Sequence, residues 1–225
     1  MLKMVNTKDN QANLTNRLEK CYSGAVYDVL RAMGHQSQVL PHDIRPLEKG
    51  QKLAGQVFTV GGQYDERFEP HDTLLNWTAF LSRAPQDSVV ICQPNDRTLS
   101  HMGELSAETL QFRGVRGYIV DGGCRDSAFI QEIGFKVFCS YLTPVDIVGR
   151  WKAQHLGESI TIGDVEIATG DYVMADHDGI VIIPQSITEV VVSRTEDVLK
   201  TESLVRKAIL AGIDPQEAYL KYGKF

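Results

Sequence analysis

The sequence predicts an α/β protein with a parallel central sheet and a C-terminal helical arm. Three apolar segments, at 87–93, 117–121 and 136–142, have the length and composition of buried strands. Segments with helical spacing lie between them on short connections, which is the pattern of βαβ units and therefore of a parallel sheet. A long helical segment, 185–211, extends the chain beyond these strands.

The N-terminal part is predicted to contain a helix and a strand behind a polar tail. Residues 1–13 are polar, and we expect them to fray. Apolar residues at helical spacing predict a helix over 14–34, with Ser23 as its N-cap and Gly34 at its C-terminal stop. The segment 52–62 predicts a strand that ends in a glycine turn.

Further helices and hairpins follow along the chain. Helices are predicted over 71–84, 103–114 and 126–134, between the buried strands. The segment 158–184 alternates short apolar runs with Gly-Asp and Asp-Gly turns, which indicates antiparallel hairpins. The long helix stops at Gly212, and a short helix is predicted after it.

Composition limits the domain organisation and the partners. A chain of 225 residues that is 43% hydrophobic fits one domain with an appended arm. We divide it into the tail 1–13, a single α/β domain over 14–184 and a helical arm over 185–225. The formal charge of −6, with both signs interspersed, argues against a nucleic-acid binder. No apolar run approaches the ~20 residues of a membrane helix, and the N-terminal residues lack the apolar stretch of a signal peptide.

The cysteine pattern points to a reducing compartment. The four cysteines, Cys21, Cys92, Cys124 and Cys139, are far apart and form no CxxC pair. Three of them lie in strand-like apolar runs, so we interpret them as reduced core residues of a cytoplasmic protein. This pattern excludes a zinc finger and a disulfide-stabilised scaffold.

Polar groups follow two consecutive predicted strands. In open α/β sheets, ligands bind at the carboxyl ends of parallel strands. The loop after the first buried strand leads to a helix start at 103–106, with the sequence Gly103-Glu104-Leu105-Ser106, and the turn after the second carries Arg125 and Asp126. If the strands are neighbours, Glu104, Arg125 and Asp126 face one cleft. Free backbone N–H groups at the two helix starts would help to bind an anion there.

Two carboxylates beside one arginine suit a hard divalent cation together with an anionic substrate. Oxygen ligands favour Mg²⁺ or Mn²⁺, and a guanidinium can hold a carboxylate through two hydrogen bonds. A simpler interpretation stays open, in which Asp126 caps the helix 126–134 while Arg125 and Glu104 form a surface pair.

The spacing Glu104-X20-Arg125-Asp126, within GELSA…GVRGYIVDGGCRD, resembles the acidic-X20-Arg-Asp motif of the class II pyruvate aldolases that cleave 4-hydroxy-4-methyl-2-oxoglutarate (HMG). That superfamily also contains RraA, the regulator of ribonuclease E activity. The resemblance extends from about residue 18 onward and includes YSGAVYDVLRAMG, GDYVMADHDGIVIIP and AYLKYG. It implies a swivelling β/β/α-type sandwich with helices on the outside, a C-terminal arm that packs on a neighbouring subunit, and a trimer or dimer of trimers.

The resemblance also implies a role for each residue of the cleft. Asp126 would ligate the divalent metal directly, and Glu104 would bind it through water. Arg125 would contact the oxygen on which enolate charge develops, and backbone N–H groups would bind the substrate's carboxylate. The implied substrate-binding residues are Arg125, Gly103, Leu105 and Ser106.

The family also uses a glutamate from the C-terminal helix of a neighbouring subunit. Here Glu202 stands on an otherwise apolar stripe of the predicted helix 185–211. A helix face buried against a partner would explain the stripe, and a shared active site would explain the glutamate. A pair with Arg206, four residues on, is the alternative.

The resemblance predicts a metal-dependent carbon–carbon lyase. It would cleave a 4-hydroxy-2-oxo acid of the HMG or 4-carboxy-4-hydroxy-2-oxoadipate type to pyruvate and a second oxo acid, with oxaloacetate decarboxylation as a side activity. Glu104 stands where aspartate is commoner among the aldolases, whereas Asp126 is present and is the residue that the regulators lack. Two alternatives stay open: a non-catalytic regulator that binds a ribonuclease or another protein, and a lyase for a 2-oxo acid derived from a sugar acid.

Three more residues lie beside the motif. His101 could reach the cleft as a proton shuttle, although its position favours a simple loop histidine. Asp121 could orient Arg125 or support the glycine turn. Cys124 has no histidine or asparagine placed in the sequence to activate it.

Overall fold

The computed structural model describes residues 7–225, with side chains described from residue 13 onward. The described chain contains seven α-helices: α1 (Thr7–Leu18), α2 (Ser23–Ala32), α3 (Pro70–Arg83), α4 (Glu104–Phe112), α5 (Ser127–Glu132), α6 (Thr188–Leu210) and α7 (Pro215–Tyr222). Its ten strands are β1 (Arg45–Pro46), β2 (Leu53–Tyr64), β3 (Ser88–Gln93), β4 (Gly117–Cys124), β5 (Val137–Leu142), β6 (Trp151–Leu156), β7 (Ile160–Ile162), β8 (Val165–Ile167), β9 (Tyr172–Ala175) and β10 (Ile180–Ile183).

The main sheet confirms the predicted α/β class. Its strand order is β1-β5-β4-β3-β2-β9-β10, with β6 paired to β2. The central strands β2, β3, β4 and β5 run parallel, as the βαβ pattern predicts. The outer strands pair antiparallel, and β7–β8 and β9–β10 are the hairpins expected within 158–184.

Both faces of the sheet are covered, which explains why its central strands are apolar throughout. One face packs against α3, α4 and α5, and that cluster includes Trp77, Leu110 and Ile130. The other face packs against the β7–β8 hairpin. A third cluster joins α1, α2 and the first half of α6 to β9 and β10. The layers therefore leave the carboxyl ends of β3, β4 and β5 free to form a site.

The N-terminal predictions need correction. Residues 1–6 of the predicted tail lie outside the described residues, and residues 7–13 belong to α1. The single helix predicted over 14–34 is two helices, and Ser23 does not cap the second. Instead, Asp176 of the β9–β10 loop accepts hydrogen bonds from the Ser23 backbone N–H at 2.7 Å and from its hydroxyl at 2.6 Å. Gly34 follows α2 with a φ of +86°, as expected at a helix stop.

Two predicted glycine turns lie inside strands. β2 continues through Gly61 and Gly62 to Tyr64, because Trp151 of β6 packs directly on Gly62. A Cβ atom on Gly62 would lie 1.8 Å from a carbon of that indole ring. Similarly, β4 runs beyond 117–121 to Cys124.

The predicted C-terminal arm packs partly on its own chain. After a 3-10 turn at Gln185–Ile187, α6 buries Val191 and Val192 against α1 and α2. Contact of this arm with a neighbouring subunit stays a prediction. None of the helices within residues 7–225 is long and apolar enough to cross a membrane. The four cysteines are buried and unpaired.

Candidate active site

The loop that follows β3 returns along the end of β4, and this brings the predicted residues together. Ser100 forms a parallel bridge with Gly123, and the backbone N–H of Arg125 donates to the carbonyl of Met102 at 2.9 Å. A Cβ on Gly123 would lie 2.5 Å from the carbonyl oxygen of Leu99, so only glycine permits this close approach. The helix start at Glu104 is thereby held against the turn that follows β4.

The carboxylate of Asp126 lies on the N-terminus of α4. Its Oδ2 accepts the Glu104 backbone N–H at 3.1 Å and lies 3.5 Å from Arg125 Nε. Asp126 has left-handed backbone angles, φ 55° and ψ 35°, and it makes no side-chain capping bond to its own helix α5. Asp126 therefore stands at the N-cap position of α5, but its side chain does not cap that helix as predicted. A left-handed conformation costs roughly 1–2 kcal/mol in an L-residue, and aspartate is among the residues that adopt it most readily.

Gly103 lets the arginine–aspartate pair approach α4. Its backbone is extended, with a φ of −145°. A Cβ at this position would lie 2.8 Å from Asp126 Oδ2 and 3.1 Å from Arg125 Nε. Glycine is therefore required here because the arginine–aspartate pair leaves no space for a side chain.

Arg125 lies between two carboxylates rather than beside Glu104. Its Nη1 is 3.5 Å from Asp146 Oδ2, while its Nε faces Asp126. Asp146 is in turn held by Arg150, at 3.2 Å, and by the Val148 backbone N–H, at 3.1 Å. Among the described residues these two aspartates are the acidic partners of Arg125 within 4 Å, so the predicted surface pair with Glu104 is not formed.

Asp146 was missed in the sequence. It follows β5, the fourth parallel strand, whose carboxyl end meets the same edge of the sheet as those of β3 and β4. The sequence carries a signal for it, because Asp146 lies in the loop that follows a predicted parallel strand, where ligand-binding residues are found.

The start of α4 offers hydrogen-bond donors to an anion. Gly103 has no side chain to cap the helix, so the N–H groups of Leu105 and Ser106 have no acceptor within it. The Ser106 hydroxyl oxygen accepts the indole N–H of Trp77 at 2.8 Å, and this contact joins α4 to α3. The helix dipole adds partial positive charge at the same place.

These residues surround an open cleft of about 660 Å³. It lies between α3, the start of α4, the β4–α5 turn and the loop after β5. Its lining residues are Leu74, Trp77, Thr78, Leu81, Ser82, Ser100, His101, Met102, Gly103, Glu104, Leu105, Ser106, Thr109, Arg125, Asp126, Asp146, Ile147 and Val148.

The donor set fits a hard cation bound largely through water. Asp126 and Glu104 supply carboxylate oxygens in the cleft, and only Oδ2 of Asp126 accepts a hydrogen bond from the described residues. Residues 13–225 contain no group of three or more His, Cys, Asp or Glu side chains that could hold a metal. Mg²⁺ commonly binds through one or two carboxylates and keeps several waters, so two carboxylates suffice for it.

The comparison with known protein families identifies the family of this chain. The model of the RraA-like family, described as Aldolase/RraA, matches residues 23–182. The chain belongs to the RraA-like family. Its matched region includes the arginine–aspartate pair and the start of α4, and the fold agrees with that of solved RraA-like proteins.

Relatives of this RraA-like chain have different names. It is 27% identical over 215 residues to Protein DlpA of Legionella pneumophila, with 95% of this chain but about a third (34%) of DlpA covered. It is 25% identical over 182 residues to a Halalkalibacterium halodurans protein named "Putative 4-hydroxy-4-methyl-2-oxoglutarate aldolase", covering 81% of this chain and 83% of that protein.

Two solved structures share the fold over most of their length. One, described as from "novel cellulases from microbes associated with the gut ecosystem", is 29% identical, with a TM-score of 0.81 and coverage of 90% and 89%. The other, RraAS2 of Streptomyces coelicolor, is described as an unusual member of the RNase ES inhibitor RraA family. It is 23% identical, with a TM-score of 0.78 and coverage of 87% of this chain and 97% of that one.

Glu202 lies away from this cleft within the chain. Its Oε2 accepts the Tyr22 hydroxyl at 2.5 Å, and its Oε1 is 3.6 Å from Lys224 Nζ. Burial and the hydrogen bond to Glu202 raise the pKa of Tyr22 to about 12. Tyr22 and Lys224 are thus its partners among the described residues, and the alternative pair with Arg206 is not formed. Its predicted role in a neighbour's site stays a prediction.

His101 is the loop histidine that the sequence favours, and Asp121 has a partner other than Arg125. His101 is buried in the cleft wall, with its ring edge against Trp151 and its Nε2 3.5 Å from Asp96 Oδ2. Burial lowers the pKa of His101 to about 4, so the ring is neutral near pH 7. Asp121 accepts a hydrogen bond from Arg97 at 2.7 Å and does not orient Arg125.

Proposed function

We propose that this chain is a divalent-metal-dependent lyase that cleaves a 4-hydroxy-2-oxo acid to pyruvate and a second carbonyl compound. The observation that carries the proposal is the position of the Arg125–Asp126 pair on the N-terminus of α4. One cleft thereby holds a guanidinium, three carboxylates and free backbone N–H groups. The aldolase names among the relatives support the same class of chemistry.

The cleft residues can bind and orient a 2-oxo acid. The N–H groups of Leu105 and Ser106 would hold its carboxylate at the helix N-terminus. Arg125, between Asp126 and Asp146, would then donate to the C2 oxygen. Because negative charge develops on that oxygen when the enolate forms, this donor binds the transition state more strongly than the substrate.

Asp126 and Glu104 are the residues that would hold Mg²⁺ or Mn²⁺. When bound, such a cation supplies Lewis-acid stabilisation of the developing oxyanion. The contact of Asp126 Oδ2 with the Glu104 N–H keeps this carboxylate at the helix start. Its strained backbone is therefore explained by a requirement to present the carboxylate to the cleft.

The reaction is a retro-aldol cleavage. The C4 hydroxyl gives its proton to a base, for which the carboxylates available are Glu104 and, in an oligomer, Glu202 from a second copy. The C3–C4 bond breaks, C4 becomes a carbonyl, and the electron pair forms the pyruvate enolate. C3 then takes a proton from water. Oxaloacetate forms the same enolate when its C4 carboxylate leaves as CO₂.

The first test follows the enolate itself, because it is common to every substrate of this class. Deuterium exchange at C3 of pyruvate and pyruvate release from oxaloacetate are measured with Mg²⁺, with Mn²⁺ and with EDTA. Both activities should require the metal and should be lost in Asp126→Asn. Asparagine tolerates the left-handed backbone, so this variant should fold. Asp121→Asn, on the strand that precedes Asp126 but bonded to Arg97, is the matched control. Folded, metal-loaded protein without either activity would favour the non-catalytic regulator.

A further inference from the structure

The turn that carries Asp146 is fixed at both of its ends. At its start, the backbone N–H of Ser100 donates to the carbonyl of Val145 at 2.7 Å, and Ser100 also forms a bridge to β4. At its end, the backbone N–H of Gly149 donates to the hydroxyl oxygen of Thr73 at 3.0 Å, and Thr73 is buried in α3. The turn therefore has a defined position relative to the arginine–aspartate pair that follows β4.

The two carboxylate oxygens of Asp146 have different partners. Its Oδ1 accepts the Val148 backbone N–H at 3.1 Å and Arg150 Nη2 at 3.2 Å. The same Nη2 donates to the backbone carbonyl of Asp146 at 2.9 Å. Its Oδ2 lies 3.5 Å from Arg125 Nη1. Because two donors hold Oδ1, rotation of this carboxylate is restricted, and Oδ2 stays directed at Arg125.

Two carboxylates fix the guanidinium of Arg125 from two edges. Asp126 lies 3.5 Å from its Nε, and Asp146 lies 3.5 Å from its Nη1. A guanidinium is planar and rigid, so two held nitrogens determine the direction of the whole group. A displacement of either carboxylate therefore changes the direction in which Arg125 donates.

Arg150 also balances the charge around Arg125. Asp126 and Asp146 together outweigh the single charge of Arg125, and Arg150 restores a set of two cations and two anions. These four side chains are between 36% and 40% exposed, so water screens their mutual attraction. The effect of Arg150 on the direction of the Asp146 carboxylate is therefore expected to outweigh its effect on charge.

We propose that Arg150 is a positioning residue that acts through Asp146 to direct the Arg125 guanidinium toward the C2 oxygen of the substrate. This inference rests on the proposed function. Within the described chain Arg150 lies outside the cleft lining, so its effect on the reaction passes through its neighbours. Because the Arg125 contact strengthens as the enolate forms, loss of Arg150 lowers kcat and leaves KM nearly unchanged.

Arg150→Gln provides the first measurement, with oxaloacetate as the substrate and Mg²⁺ present. Its kcat should fall by about tenfold, less than on loss of Arg125 itself, because the donor is displaced but not removed. Arg150→Lys should stay within about threefold of the wild type, since the contact uses one nitrogen and lysine supplies one. Arg67→Gln is the matched control, because Arg67 pairs with Asp65 outside the cleft lining.

A double-mutant cycle separates positioning from a purely structural role. If Arg150 acts through Asp146, Arg150→Gln should cause no further loss of kcat in an Asp146→Asn background. The same tenfold loss in both backgrounds would overturn the inference. So would wild-type kcat in Arg150→Gln with only a lower thermal midpoint of unfolding, because that result indicates a stabilising contact alone.

The wild-type protein distinguishes the two levels of failure. Without deuterium exchange into pyruvate and without oxaloacetate decarboxylation by the metal-loaded wild type, the proposed function fails and this inference fails with it. An active wild type whose kcat is unaffected by Arg150→Gln overturns the role of Arg150 alone. Thermal midpoints of all variants show that each kcat refers to folded protein.

Discussion

Asp126 and Glu104 are joined by a hydrogen bond of 3.1 Å from the backbone N–H of Glu104 to the carboxylate of Asp126. The two residues follow different strands, and twenty-one residues lie between them in the sequence. This bond directs the Asp126 carboxylate into the cleft and away from the helix that it precedes. The arrangement depends on the absence of a side chain at Gly103, which leads to the first prediction.

Gly103→Ala should lower turnover by about 100-fold with little change in stability. The added Cβ would lie 2.8 Å from Asp126 Oδ2, so the arginine–aspartate pair must shift, and small displacements of catalytic groups are costly. Pyruvate formation from oxaloacetate and the thermal midpoint of unfolding are the measurements. Gly179→Ala, where a Cβ would meet no atom within 4 Å, is the control. Equal activity in the two variants would show that the close approach is unimportant.

Arg125→Ala should lower kcat by on the order of 10²–10³, as the removal of one oxyanion donor typically does. Arg125→Lys restores the charge but not the two-sided contact with Asp126 and Asp146, so we expect partial recovery. Steady-state kinetics with oxaloacetate as the substrate measure kcat for both variants and the wild type. Wild-type activity in the alanine variant would remove Arg125 from the mechanism.

Asp146→Asn should weaken Mn²⁺ binding and lower kcat by about tenfold, with folding preserved. Without the Asp146 charge, Arg125 has Asp126 as its acidic partner, and an arginine drawn to Asp126 competes with the metal. Mn²⁺ titration by electron paramagnetic resonance measures the affinity directly. Asp72→Asn is a matched control, because Asp72 pairs with Lys152 outside the cleft lining. A drop in stability without a change in metal affinity would indicate a structural role only.

His101 should make the protein sensitive to acid. Its folded pKa of about 4 lies below the ordinary value of 6.5, so between these values the unfolded chain binds a proton that the folded chain does not. This contribution to stability is present above pH 6.5 and is lost as the pH falls toward 4, by up to roughly 3 kcal/mol. Urea unfolding across this range should show a shallower loss in His101→Phe than in the wild type. If the unfolding free energies of His101→Phe and the wild type fall equally with pH, His101 is not the cause of the acid sensitivity.

Subunit mixing tests whether Glu202 completes a neighbour's site. If it does, Asp126→Asn and Glu202→Gln are each inactive alone, whereas a mixed oligomer contains sites that carry neither change. Unfolding and refolding the two variants together should therefore restore part of the pyruvate-forming activity. Each variant refolded alone provides the control. Absence of recovery from confirmed mixed oligomers would place Glu202 in a purely structural pair with Tyr22.

The order of elements and the location of the site were accessible from the sequence. Apolar runs and helical spacing are local properties, so the parallel strands and their helices were predicted with shifts of only a few residues at their ends. The same holds for Arg125 and Asp126, because residues that directly follow parallel strands must lie at one edge of the sheet. Residue spacing could not show that Trp151 packs on Gly62, and the prediction therefore ended β2 too early.

The sequence by itself determined the α/β class, the approach of Glu104 to the arginine–aspartate pair and the family resemblance, all of which depend on short-range patterns. Tertiary structure decided the rest. It turned the Asp126 side chain away from its own helix, placed Asp146 beside Arg125 and bonded Ser23 to Asp176. These features arise where segments distant in the chain compete for the same hydrogen-bond donors and the same space, and only the folded arrangement determines which contacts form.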